Sequence, residues 1–174
     1  MKRRTFIKKN AIVTLAPFIT TGLLARNKKI KSLSEKPFQL NYAPHFGMFE
    51  SMAGKDLMDQ IQFMHDQGFR SLEDNGMKNR SKKTQNDIAK KMEKLGMSMG
   101  VFVGHKIYWK EPNLTSGDKS LQDEFVENIR DSVEVAKRVN ATWMTIVPGH
   151  IDLKKEMDYQ TANVIEALKR AAEF

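Results

Sequence analysis

The chain has 174 residues, 40% of them hydrophobic and 29% charged, which is the size of one globular domain and excludes the disordered, collagenous and multi-span membrane classes. The formal charge of +8 is unevenly placed: residues 1–36 hold ten Lys/Arg against the single acid Glu35, so the rest of the chain carries 19 basic and 20 acidic side chains, a balance that gives no support to nucleic-acid binding. Without cysteine there is no disulfide framework, thiolate metal site or cysteine nucleophile.

Residues 1–10 are cationic, residues 11–25 are mostly apolar, and charge returns with Arg26, Lys28, Lys29 and Lys31, the three-part layout of an export signal. The apolar run covers roughly 22 Å of helix, short of the ~30 Å hydrocarbon core, and Pro17 and Gly22 interrupt it. That argues against a stable membrane span, with a signal-anchor as the alternative. Arg3-Arg4-Thr5-Phe6-Ile7-Lys8 resembles the bacterial twin-arginine export signal, departing from it at Lys2, where Ser or Thr is usual. The resemblance implies export to the periplasm, and residues 1–36 are set apart as leader and linker.

From residue 37 a short apolar run, a polar loop and a helical pattern recur. The first run, residues 38–43, leads into Pro44-His45-Phe46-Gly47 and then a helix with Leu57, Ile61 and Met64 on its apolar face. Gly68 ends that helix, and the second run, residues 69–72, leads to Glu73 and the turn-forming Asp74-Asn75-Gly76. Ile88, Met92 and Leu95 mark the second helix and Gly96 its end. The third run, residues 97–103, passes through Gly104-His105 into a loop holding Trp109. Ser120 and Asp123 have capping-box spacing at the start of a third helix faced by Leu121, Phe125, Ile129, Val133 and Ala136, which Asn140 ends. The fourth run, residues 142–147, places Trp143 in a strand interior and leads to Pro148-Gly149-His150. A last helix shows Ala162, Ile165, Leu168 and Ala172. Of the eleven methionines, Met52, Met58, Met64, Met92, Met97 and Met99 fall on core faces or strands.

Four such units make an α/β protein with a parallel sheet and right-handed crossovers. An open doubly wound sheet and half of a TIM (β/α)8 barrel both satisfy the pattern. No G-x-G-x-x-G follows the first run, and the remaining units of a barrel are expected beyond Phe174. Residues 37–174 then form four of eight units, with exposed sheet edges that favour self-association.

In either architecture chemistry gathers at the carboxyl ends of the strands. Those positions hold His45, Glu73, His105, Trp109 and His150, the candidates for substrate binding, whereas His65 lies on a helix. Gly104 and Gly149 each precede a histidine and permit close approach of backbone or ligand. Trp109 suits stacking on a sugar or covering the helix below. If His105 meets substrate, its removal is expected to lower turnover and leave stability unchanged. His45, Glu73, His105 and His150 also have the ligand types of a zinc or manganese site, which stands as an alternative. Catalytic residues remain unassigned, and no nucleophile, Walker or H-E-x-x-H motif occurs.

Residues 68–73 (Gly-Phe-Arg-Ser-Leu-Glu), 97–103 (Met-Ser-Met-Gly-Val-Phe-Val) and 136–149, with Val147-Pro148-Gly149 closing the fourth strand, resemble the xylose isomerase-like TIM-barrel superfamily, in particular exported proteins of the hydroxypyruvate isomerase type. The resemblance covers residues 38–174. It implies aldose-ketose isomerisation of a small hydroxy-carbonyl acid or sugar, assisted by a divalent metal (Mg, Mn or Zn), with metal ligands and acid/base groups on strands five to eight. No metal ligand or catalytic residue carries over to this chain; the substrate lining does, on to His45, Glu73, His105 and the Trp109 loop. An epimerase of the same superfamily and a non-catalytic sugar- or polyol-binding barrel are the alternatives.

Overall fold

A computed structural model describes residues 36–174; the leader reading lies outside the described residues. Helices α1 (Glu50–Ala53), α2 (Leu57–Asp66), α3 (Lys82–Leu95), α4 (Lys119–Val139) and α5 (Met157–Ala171) alternate with short strands β1 (Ser71–Leu72), β2 (Ser98–Met99), β3 (Val101–Val103) and β4 (Trp143–Thr145). None of the described helices is long and apolar enough to cross a membrane.

Every strand pairing is parallel and joins neighbours in the chain. β1 pairs with β2 at Ser71↔Ser98, β3 with β4 at Val101↔Trp143, and a single bridge joins His45 to Glu73. The spatial order is therefore the chain order. A doubly wound sheet reverses order at a switch point, so sequential parallel neighbours identify a partial TIM barrel and settle what periodicity left open.

The expected first strand, residues 38–43, does not form. Tyr42 donates its N–H back to the Leu40 carbonyl, a tight turn that breaks extended pairing, and Phe38, Leu40 and Tyr42 are exposed. Phe38 N–H reaches the Gly68 carbonyl, but the bridge to the second strand end forms where Glu73 N–H meets the Pro44 carbonyl. The third run is divided at Gly100. Gly100 N–H bonds to Leu72 O, so a regular ladder would return the Asp74 N–H to Gly100 O; it goes to Val101 O instead. Gly100 and Val101 thus oppose Glu73 together, a β-bulge, which is why Met99 and Phe102, three residues apart, both bury on the helix side. A Cβ on Gly100 would stand 3.2 Å from Leu72 O and 3.3 Å from the Ala43 Cβ.

The core lies between strands and helices. Ile61, Met64, Leu72, Ile88, Met92, Met99, Phe102, Val135 and Val139 form one cluster; Leu114, Phe125, Val126, Ile129, Ala167 and Ala171 form another between α4 and α5. Burying each large side chain of this kind stabilises by about 1.5 to 3 kcal/mol relative to exposure. Asn140 holds the left-handed conformation that ends α4 (φ 53°).

Several local expectations are corrected. Asp118, not Ser120, caps α4, accepting from Ser120 N–H and Leu121 N–H. Helix α5 buries Gln160, Ala167 and Ala171, leaving Ile165 and Leu168 exposed, because its small-residue face lies closest to α4. Met52 is half exposed on the short α1. Trp143 is 72% exposed, since β4 turns its neighbour Met144 toward the helices.

Candidate functional site at the strand ends

Two groups of side chains occupy the carboxyl ends of the strands. In the first, the backbone bridge that aligns His45 with Glu73 also aligns their side chains, with Nε2 2.6 Å from Oε1 and both partly exposed. Asp74, next in the chain, is buried: its Oδ1 accepts the Gly76 N–H at 3.1 Å, and Arg80 Nε donates to its Oδ2 at 2.5 Å. The Arg80 guanidinium lies 5.1 Å from the Phe46 ring centre, so Asp74 and Arg80 brace the turn beneath His45.

The second group surrounds a cleft of about 630 Å³. Val103, Thr145 and Val147 form its floor at the ends of β3 and β4. Asn75, Lys78 and Asn79 come from the turn after β1, His105, Lys106 and Trp109 from the long third loop, and Asn128 from α4. No Asp or Glu lines it.

His105 is built into the wall by its ring nitrogens. Val147 N–H donates to Nε2 at 2.9 Å, so Nε2 carries no proton, and Nδ1–H donates to the Lys106 carbonyl at 2.8 Å. Burial pushes its pKa down, with the bond to Lys106 opposing and the nearby Lys78 charge adding to the fall. The ring is 4% exposed and meets Phe125 edge-on at 5.1 Å. His105 is thus a neutral imidazole that ties the third and fourth strand ends together.

Lys78 donates from Nζ to Asn128 Oδ1 at 2.6 Å, to Asn128 O at 2.8 Å and to Gly104 O at 3.4 Å. Burial lowers its pKa, with Asp131 opposing. In the long loop, Tyr108 O–H donates to Glu124 Oε2 at 2.7 Å, and Lys106 Nζ reaches the Tyr108 hydroxyl at 2.6 Å. That hydroxyl is the main reason the Glu124 carboxyl is held below its usual range and Lys106 is raised. The clasp fixes the loop on α4 and leaves Trp109 projecting, 72% exposed.

Of the five expected site residues, His105 and Trp109 share the cleft, and His45 and Glu73 pair with each other outside its lining. His150 stands apart on an exposed loop, with Nδ1–H turned back to the Ile151 carbonyl at 2.7 Å. Among the described residues no three His, Asp or Glu side chains converge on a metal position, so the alternative zinc or manganese site of His45, Glu73, His105 and His150 does not assemble. The donors that remain, His45 and Glu73, bond to each other, so these residues do not fit a metal.

Sequence reasoning missed Lys78, Asn79, Asn128 and Thr145. Lys78 meets Asn128 across 50 residues of chain, and no local pattern signals that meeting. Thr145 could have been found, as an inward polar residue near the end of an apolar strand.

A family model described as xylose isomerase-like TIM barrel matches residues 61–174, more than half of the chain. No curated protein matches it.

Proposed function

The chain belongs to the xylose isomerase-like TIM barrel family, and on that basis we propose that its strand-end face binds a small hydroxy-carbonyl acid for a sugar-isomerase-type reaction, with hydroxypyruvate as the substrate. The observation that carries this is the cleft lining: amides of Asn75 and Asn79, the ammonium of Lys106, a projecting Trp109 and no carboxylate. Amides match hydroxyl groups, an ammonium matches a carboxylate, and an indole face packs on C–H bonds. Converting hydroxypyruvate to tartronate semialdehyde removes a proton from C3, passes through an enediol and returns a proton to C2. His105 does not carry that proton, because its Nε2 is already the acceptor of a backbone bond. Its part is to set the wall on which substrate rests. The reading leaves proton transfer and metal binding to groups outside those described. We propose also that the protein is exported by the twin-arginine route and associates with itself through its sheet edges.

Binding is tested in a Trp143→Phe background, where Trp109 is the remaining indole, by titrating hydroxypyruvate and neutral xylose against its fluorescence. Saturable change with the acid at lower concentration than with xylose supports the reading; saturation by neither overturns it. Proton NMR of the same mixture separates isomerase from binding protein, since turnover produces the aldehyde signal of tartronate semialdehyde.

A further inference from the structure

The four long helices share a feature that their sequences do not advertise. The caps before them are Asp56, Ser81, Asp118 and Glu156, and four residues after each cap stands a glutamine: Gln60, Gln85, Gln122 and Gln160. All four are at least 95% buried. The fourth helical position ordinarily takes an apolar residue that packs against the chain entering the helix, and a buried amide is costly unless both its donor and its acceptor are used. Here the donors of Gln60, Gln85 and Gln160 are used on the loops, while the Gln85 Oε1 accepts from Arg138 of α4.

Gln60 Oε1 accepts the Gly47 N–H at 2.7 Å and its Nε2 donates to Gly54 O at 3.0 Å, holding the loop that follows His45. Gln85 Nε2 donates to Met77 O at 2.9 Å and Arg80 O at 3.0 Å, holding the turn that carries Lys78 and Asn79. Gln160 Oε1 accepts the Asp152 N–H at 2.8 Å while Nε2 donates to Asp152 O and Lys155 O, each at 3.0 Å, holding the loop after His150. Gln122 acts through a relay: its Nε2 donates to Asn163 O at 3.4 Å, and Asn163 Nδ2 donates to Thr115 O at 3.1 Å, beside the end of the third loop.

We infer that Gln60, Gln85 and Gln160 are positioning residues, each fastening the strand-end loop of its unit to the first turn of the following helix, while Gln122 reaches its loop only through Asn163 of α5. An apolar residue at that position would anchor the loop by contact alone and let it slide; an amide fixes named backbone atoms. The inference holds whichever reaction the face performs, since it concerns loop backbone and not substrate.

Amide exchange in the full chain tests it. Gln160→Met and Gln60→Met, made singly, remove the polar ends at similar volume. Exchange of Asp152 in the first and Gly47 in the second should quicken about tenfold, as expected for losing a bond or two, with the other loops unchanged. Gln160→Glu supplies a readout that a merely packed residue would not move. Its carboxylate keeps an acceptor for the Asp152 N–H but opposes the carbonyls of Asp152 and Lys155. Its exchange relative to wild type at the same pH should therefore be fast at neutral pH and recover as the carboxyl gains a proton and donates again. Unchanged exchange in the Met variants, or equal acceleration in all four loops, overturns the inference. If Gln160→Met does not fold, a pH-independent ratio in Gln160→Glu overturns it as well.

Discussion

Val147 donates its backbone N–H to Nε2 of His105, 2.9 Å away and 42 residues distant in the chain. The bond needs an unprotonated Nε2, so folding favours the neutral ring, and the lowered pKa of His105 follows from that burial. Replacing His105 by Ala leaves the Val147 N–H and the Lys106 carbonyl without partners, and should cost about 2 to 3 kcal/mol in urea unfolding. This reverses the expectation that His105→Ala would spare stability. The pH dependence has a definite sign: the unfolded chain binds the proton more readily, so this contribution is complete above about pH 6.5 and is lost as pH falls below it. Stability of His105→Ala should lack that acid-side slope.

In strand β4 and its neighbour, orientation outweighs residue size. Phe102 is fully buried among the helices, and Phe102→Ala should cost about 3 to 5 kcal/mol. Trp143, the larger side chain, is 72% exposed, so Trp143→Ala should cost less than about 1 kcal/mol. Denaturant unfolding of the two variants checks the order.

The same pair shows what the sequence could convey. The faces of α2 and α3 were legible because a period of 3.6 separates buried from exposed positions, as Ile61 and Met64 or Ile88 and Met92 show, whereas α5 buries its small residues and leaves Ile165 and Leu168 exposed. Strands apolar on both faces carry no such signal, so nothing in residues 142–147 tells which way Trp143 points. The bulge at Gly100 shifts the alternation by one residue between Met99 and Phe102, which no fixed period can follow. The candidate site divides in the same manner. His105 and Trp109 were visible as polar or aromatic residues at strand ends, whereas Lys78 and Asn128 depend on a meeting of distant segments.

Gly149 tests close backbone approach. Its φ is +93°, and a Cβ there would lie 2.9 Å from the Asn113 Cβ and 3.1 Å from the Asn113 N, a backbone atom that cannot swing away. Gly149→Ala therefore combines left-handed strain with a clash and should lower stability by about 2 kcal/mol or more. Gly104→Ala, at ordinary φ, meets only the Ile129 and Met144 side chains, and thermal unfolding should show the smaller loss.

The export proposal is tested at Arg3 and Arg4. Changing both to Lys keeps the charge of residues 1–10 but removes the paired guanidinium groups that the resemblance implies are read. Fractionation should then find the protein in the cytoplasm, and an unaltered periplasmic yield would reject the twin-arginine route.

Lys78 offers the last prediction, because one ammonium holds three elements: the turn after β1 that carries it, Asn128 on α4, and the Gly104 carbonyl at the end of β3. Lys78→Met keeps the stem and removes the donors, leaving three acceptors to find water in a cleft wall; a loss of about 1 to 3 kcal/mol is expected. Arg should not restore it, since a planar fork cannot reproduce the converging bonds of an ammonium. Burial lowers the pKa of Lys78 below 10.5, so at alkaline pH the unfolded chain holds this proton more tightly than the folded one. Stability from this group therefore rises with pH as it approaches 10.5. The gap between wild type and Lys78→Met should widen over that range in urea titrations, and a gap that narrows would show that the acceptors and Asp131 outweigh burial and hold the charged form instead.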